Sequence, residues 1–240
     1  SLDSIGPLAR TVADCAAADA VMAGDEPLPL SELTLAGLRF GSPAGRLMGD
    51  LDATVGNAFA SVRAKLSRAG VTIADHDIDD LLAAMAAATK PASIAAIEAA
   101  DVHAGWLTKG AAGPVDPRVA GPLSRGLSIP AATYIGMLRR RATLVEAMNE
   151  RLRSIDALIL PTTPITAPEI AAVSDDPAAY NRAEGLLLRN TQVANQFDLC
   201  AISLPMPDTA RPAGLMLVAR HGEDRRVAPP SFSREQAPPS

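Results

Sequence analysis

Soft metal ligands are scarce in this 240-residue chain, which holds two cysteines (Cys15, Cys200) and three histidines (His76, His103, His221). No C-x-x-C pair exists and the histidines are scattered, so no metal site is expected. Both cysteines have apolar neighbours and are expected to be reduced core residues of an intracellular protein. The only lysines are Lys65, Lys90 and Lys109. None stands in the apolar strand context that lowers an amine pKa, so a buried catalytic lysine is not expected. Aromatic residues make up 3%, and the core must be built from Ala, Leu, Val and Ile, which suit helices closely stacked on a sheet. No apolar run is long enough to span a bilayer and no signal peptide is read at the start. No membrane association is therefore expected, and the cytoplasm is the default location. G-x-S-x-G, the P-loop, G-x-G-x-x-G and H-E-x-x-H are also missing, and no cofactor is expected.

Hydrophobic residues at 48% and charged residues at 20% describe an ordinary globular chain, long enough for one large or two modest domains. Net charge is −5. The densest basic run, "LRRRATLVEAMNERLR" (138–153), interleaves Glu146 and Glu150 with its arginines. That pattern is a solvated helix face, and no direct nucleic-acid partner is expected.

The chain opens on "SLDSIGPLARTVADCAAADAVMAG". Thr11 and Asp14 fit a capping box, Val12, Cys15, Ala16 and Val21 keep a helical spacing, and Gly24 ends the run. A strand is expected at Leu38–Gly41. A helix follows with Val55, Phe59, Val62 and Leu66 on one face, Gly70 stops it, and Val71–Ile73 resumes as a strand. Strand, helix, strand indicates an α/β layered fold with parallel pairing. Residues 78–109 read as two helices broken at Lys90-Pro91, and 110–128 as a Gly/Pro loop containing Arg125. Pro130 starts a long helix, Ala131 to about Ser154. A buried strand at Ile155–Leu160 ends in "PTTPITAPEI", a helix spans about Ala183 to Gln196, and strands follow at 200–205 and 213–219. The last stretch, "RRVAPPSFSREQAPPS", is Pro-, Ser- and Gln-rich and reads as a disordered or divergent tail, 225–240.

Candidate site residues fall at strand ends, because ligands of open parallel sheets bind beyond the carboxyl ends of strands. Thr162 and Thr163 follow one strand, and Asn190, Thr191, Asn195 and Asp198 precede another. The competing reading is that the threonine hydroxyls satisfy backbone groups in a Pro-rich turn, and that Asn190 and Asn195 only brace neighbouring loops. Cys200, without a nearby histidine, reads as a structural thiol.

Four blocks in order carry a resemblance: "SLDSIGPLARTVADCA" (1–16), "IDALILPTTPITAPEI" (155–170), "RNTQVANQFDLCAISLP" (189–205) and "PAGLMLVARHGED" (212–224). Together they resemble the C-terminal part of amidase-signature hydrolases over residues 1–224. The resemblance implies part of an α/β/α domain, a mixed sheet flanked by helices. It implies hydrolysis of carboxamides to carboxylate and ammonia, or delivery of that ammonia to an acceptor. A serine nucleophile, a second serine and a lysine would do this work, all upstream of the first block. No serine or lysine in 1–240 matches those motifs, so no catalytic residue is assigned. The pocket would be lined by Thr162, Thr163, Asn195 and Asp198, with Arg125 as a partner for a substrate carboxylate. The chain departs from the family at "MPDTARPAG", where Arg211 replaces a leucine and an early glycine is missing. It departs again after "HGED", where two Pro-Pro pairs stand in place of an apolar helix.

Three functions follow from this reading. The first is the substrate-pocket half of an amide hydrolase, acting on a small amide once an N-terminal half completes it, with a homodimer left open. The second is a non-catalytic truncated product or an interaction subunit. The third is part of the ammonia-producing amidase component of a tRNA-dependent amidotransferase.

Overall fold

The computed structural model describes residues 1–30, 34–107 and 115–224. Lys109, the first part of the expected 110–128 loop and the tail 225–240 lie outside them. Along the chain, helix α1 (Val12–Ala23) precedes strand β1 (Arg39–Ser42), α2 (Ala53–Arg68) and β2 (Thr72–Asp75). Helices α3 (Asp79–Ala88), α4 (Ile94–Val102), α5 (Ala104–Leu107), α6 (Pro117–Gly126) and α7 (Ala131–Arg151) follow. Then come β3 (Ala157–Pro161), α8 (Pro177–Arg189), α9 (Gln192–Phe197), β4 (Cys200–Pro205) and β5 (Gly214–Ala219). Contacts divide the chain into two compact units: Ser1–Ser4 with Asp80–Met148, and Ile5–Asp79 with the residues from Asn149 onward.

The first unit is helical. Glu98 on α4 accepts a hydrogen bond from the Tyr134 hydroxyl of α7 at 2.6 Å. Helices α4 and α6 pack so closely that a Cβ on Gly126 would lie 2.5 Å from the Ala96 carbonyl oxygen. The expected Gly/Pro loop is here corrected to a helix over Pro117–Gly126. Asp116 caps it through the Arg118 amide at 2.9 Å, and Pro117 opens it, where a missing N–H costs nothing. Composition pointed to a loop because Pro122 lies inside this helix.

The second unit holds the sheet, in the order β2-β1-β3-β5-β4. β1 pairs in parallel with β2 and β3, and β5 is antiparallel to both β3 and β4. The sheet is therefore mixed, with helices about it, as the resemblance implied. β1–α2–β2 is the parallel unit expected from the sequence. Asp52 caps α2 through the Val55 amide at 2.7 Å, and Val55, Phe59 and Leu66 are buried. They join Phe40, Ile159, Leu215 and Leu217 in one apolar cluster. Each such side chain contributes roughly 1.5–3 kcal/mol when removed from water. β3 is buried on both faces, whereas the edge strand β4 alternates, with Ala201, Ser203 and Pro205 exposed.

Several boundaries differ from expectation. α1 has the expected Thr11 cap, with the Asp14 amide 3.1 Å from the Thr11 hydroxyl, and Gly24 ends it at φ 81°. The helix expected over 183–196 is two helices, α8 and α9, broken at Asn190 and Thr191. Asp176, which caps α8 through the Ala178 and Ala179 amides, starts it at Pro177. Asn190 and Thr191 themselves keep right-handed helical backbone angles.

Candidate functional site

β3 runs beyond its pairing with β1, which ends at Gly41↔Leu158 on this strand. The Thr162 amide donates to the Gly214 carbonyl at 2.8 Å, so its backbone faces β5. Residues alternate sides in a ladder, and Pro161 therefore faces the side that β1 has left. Its missing N–H costs no ladder bond there. Its carbonyl accepts instead from the Asn190 side-chain amide at 2.8 Å.

The loop that follows is held at several points. The Thr162 and Ser203 hydroxyls lie 2.6 Å apart. Thr163 donates its hydroxyl to the Ile165 carbonyl at 2.9 Å. Asp52 accepts from the Thr166 amide at 2.7 Å and the Thr166 hydroxyl at 2.9 Å, and its own amide donates to Pro164. Burial pushes the Asp52 carboxyl up, but bonds from Thr166 and Val55 outweigh it and hold the group below its ordinary range. One carboxylate thus caps α2 and fixes the far end of the Pro-rich loop.

A Thr–Ser hydroxyl pair uses one of its two O–H groups internally, leaving one donor and spare acceptor lone pairs for a polar guest. Thr163 keeps acceptor capacity only. This corner can therefore hydrogen-bond both ends of a neutral amide.

The remaining candidates lie elsewhere. Asp198 ends α9 in the left-handed region at φ 55° and ψ 50°, and its carboxylate is 3.4 Å from His221 Nδ1. Cys200 pairs with Ala219 and Pro205 with Gly214, so Asp198 and His221 sit at the opposite end of the sheet from Thr162. α9 carries the half-buried Asn195, which is engaged with neighbours. Arg125 is exposed on α6 and belongs to the helical unit. Within the sheet-bearing unit, the structure thus brings Thr162 and Thr163 together and places Asp198 apart from them.

Cys200 is a half-buried thiol donating to the Arg220 carbonyl at 3.1 Å. Burial, aided by Asp224, pushes its pKa up to about 11. Both features favour the protonated thiol near neutral pH. Among the described residues, no group of three or more His, Cys, Asp or Glu side chains could hold a metal ion. No described helix is long and apolar enough to cross a membrane. Lys65 is paired at 3.7 Å with the exposed Asp208.

Sequence reasoning missed Ser203, Gly214, Arg189 and Asp52. Asp52 alone had a readable signal, an aspartate directly before the first turn of a helix. The others act through pairings between distant strands and loops, which no local pattern carries.

A mixed five-stranded sheet with a Pro-rich loop leaving its central strand defines the α/β class of this protein. The sequence model of the Amidase family matches residues 1–228, and the chain belongs to that amidase-signature family. It is 27% identical to a 2-amino-5-chloromuconic acid deaminase of Comamonas testosteroni, covering 95% of this chain and 49% of that protein. It is also 27% identical to a glutamyl-tRNA(Gln) amidotransferase component of Prochlorococcus marinus, covering 99% of this chain and 55% of the relative. A crystal structure of an amidase superposes with a TM-score of 0.73 at 26% identity, over 93% of this chain and 50% of that one. The chain spans about half the length of the curated relatives it matches.

Proposed function

We propose that this chain forms the substrate side of a carboxamide hydrolase that releases a carboxylate and ammonia. The serine nucleophile, the relaying serine and the lysine come from polypeptide outside these 240 residues. The observation that carries this reading is the family match over residues 1–228 in a chain about half as long as its relatives. The geometry adds support: the loop after β3 is rigidly held and presents a hydroxyl pair with one free donor. Thr162 and Thr163 carry the pocket in this reading. Asn195 enters it as a further contact, whereas Asp198 lies at the opposite end of the sheet.

A second reading has a specific observation behind it, the likeness to relatives named as components of glutamyl-tRNA(Gln) amidotransferase. In that case the ammonia passes to an acceptor held by other subunits.

Ammonia release from short aliphatic and aromatic carboxamides, measured on the complete gene product, tests both readings. Turnover without any acceptor supports hydrolysis. Release that requires an added misacylated tRNA and partner subunits supports transfer. Thr162→Val and Thr163→Val are expected to raise KM about five-fold or more by removing a hydrogen bond worth about 1 kcal/mol. Unchanged kinetics in both variants would remove the pocket from the end of β3.

A further inference from the structure

Arg189 and Asn190, adjacent at the end of α8, make a set of contacts that neither the capping of α8 nor the pocket reading uses. Asn190 is fully buried at 0% exposure. Its amide nitrogen donates to the Pro161 carbonyl at 2.8 Å and to the Leu47 carbonyl at 3.3 Å. Its amide oxygen accepts from Arg189 Nε at 3.2 Å. Both donors and the acceptor of the Asn190 head are therefore engaged.

Arg189 extends the same grip. Its Nη2 donates to the Gly49 carbonyl at 2.6 Å and the Leu47 carbonyl at 3.3 Å, and Nη1 reaches Asp50 at 3.3 Å. The arginine side chain is 9% exposed, whereas that of Asp50 is 75% exposed. Burial lowers the arginine's pKa, and Asp50 offsets this in part. The segment it holds needs holding. Gly45–Met48 is a single 3₁₀ turn, followed by Asp50 in the left-handed region at φ 54°, a conformation uncommon outside glycine.

The two residues thus tie the 45–50 turn after β1 to Pro161, the last residue of β3, from which the Pro-rich loop leaves. Asn190 stands where β1 would have continued beside β3, and it supplies the donor that the shorter strand cannot. We propose that Arg189 and Asn190 are positioning residues, a latch that fixes the 45–50 turn against Pro161 and so sets where Thr162 and Thr163 stand relative to substrate. This rests on the amide-hydrolase reading. The latch touches no reacting atom in that scheme; it acts through the loop.

The test uses the complete gene product carrying Asn190→Ala, Asn190→Asp and Arg189→Lys. Asn190→Asp keeps the shape but replaces both amide donors with an acceptor facing two carbonyls, so it should fail as badly as Asn190→Ala. Arg189→Lys keeps the charge beside Asp50 but loses the fork, and should be intermediate. Hydrogen exchange read by mass spectrometry should show peptides over 45–50 and 162–166 losing protection together in each variant. With a short carboxamide, KM should rise about five- to twenty-fold while kcat stays within about two-fold, as expected of lost substrate positioning. A lower melting temperature with KM and kcat unchanged makes the pair merely structural and overturns the proposal. Loss of protection in only one loop, or in neither, also overturns it. Absence of turnover in the wild type would instead defeat the amide-hydrolase reading, and with it the catalytic purpose of the latch.

Discussion

The hydroxyls of Thr162 and Ser203 meet at 2.6 Å although Thr162 directly follows β3 and Ser203 lies on β4, strands that are not neighbours. β5 lies between β3 and β4, and next-nearest strands are about 10 Å apart. The side chains can touch because the residue beneath them is Gly214. A Cβ there would stand 2.5 Å from Thr162 Oγ1 and 2.6 Å from Ser203 Oγ.

Gly214→Ala should therefore separate the pair and destabilise the protein by about 1–3 kcal/mol, the usual cost of overpacking. Gly185→Ala is the contrasting case. It lies inside α8, and an added Cβ meets nothing within 4 Å. That variant should be stabilised by roughly 0.5–1 kcal/mol, because alanine loses less backbone freedom in a helix. Urea titrations of both variants check the prediction, and equal effects would contradict it.

Asp52 gives a prediction about acid stability. Its folded pKa lies below the ordinary value of 3.8, so its contribution is fully present above about pH 4 and is lost as pH falls through the folded value. Asp52→Asn should lose about 1 kcal/mol at pH 7, because an amide nitrogen cannot accept the two Thr166 bonds that the second carboxylate oxygen takes. The difference from wild type should shrink as pH falls below about 4, as measured by denaturant unfolding. A constant difference across that range would show that the carboxylate charge does not matter.

Much of the architecture was legible in the sequence. Capping residues announced α1, and the Val55–Phe59–Leu66 spacing announced α2, because caps and periodicity are local. The two apolar strands after residue 199 were bounded to within a residue, since each is a short apolar run between turn residues. What failed, failed for identifiable reasons. Pro122 concealed α6 because a proline inside a helix removes a backbone donor and reads as a break. The α8–α9 break left no local signal: Asn190 and Thr191 keep helical backbone angles, and the Asn190 side chain is held by carbonyls of residues far away in sequence. At the site, Thr162 and Thr163 were found as hydroxyls after a strand. Ser203 and Gly214 required the sheet order, which no single segment encodes.

Cys200 offers a chemical check. A thiol pushed up to about 11 holds roughly a hundredth or less of the thiolate of an ordinary cysteine at pH 8. Iodoacetamide at that pH should leave Cys200 unmodified on a timescale that fully alkylates it in the urea-unfolded protein. Peptide mapping reads the result, and rapid native labelling of Cys200 would refute the buried, protonated assignment.

The proposed division of labour puts a substrate pocket within these residues and a serine–serine–lysine set outside them. Ammonia release from a short carboxamide, assayed on the complete gene product and on residues 1–240 alone with folding monitored by circular dichroism, tests it most directly. Turnover by the complete product and none by the folded 1–240 chain is the expected result. Turnover by residues 1–240 alone would contradict it.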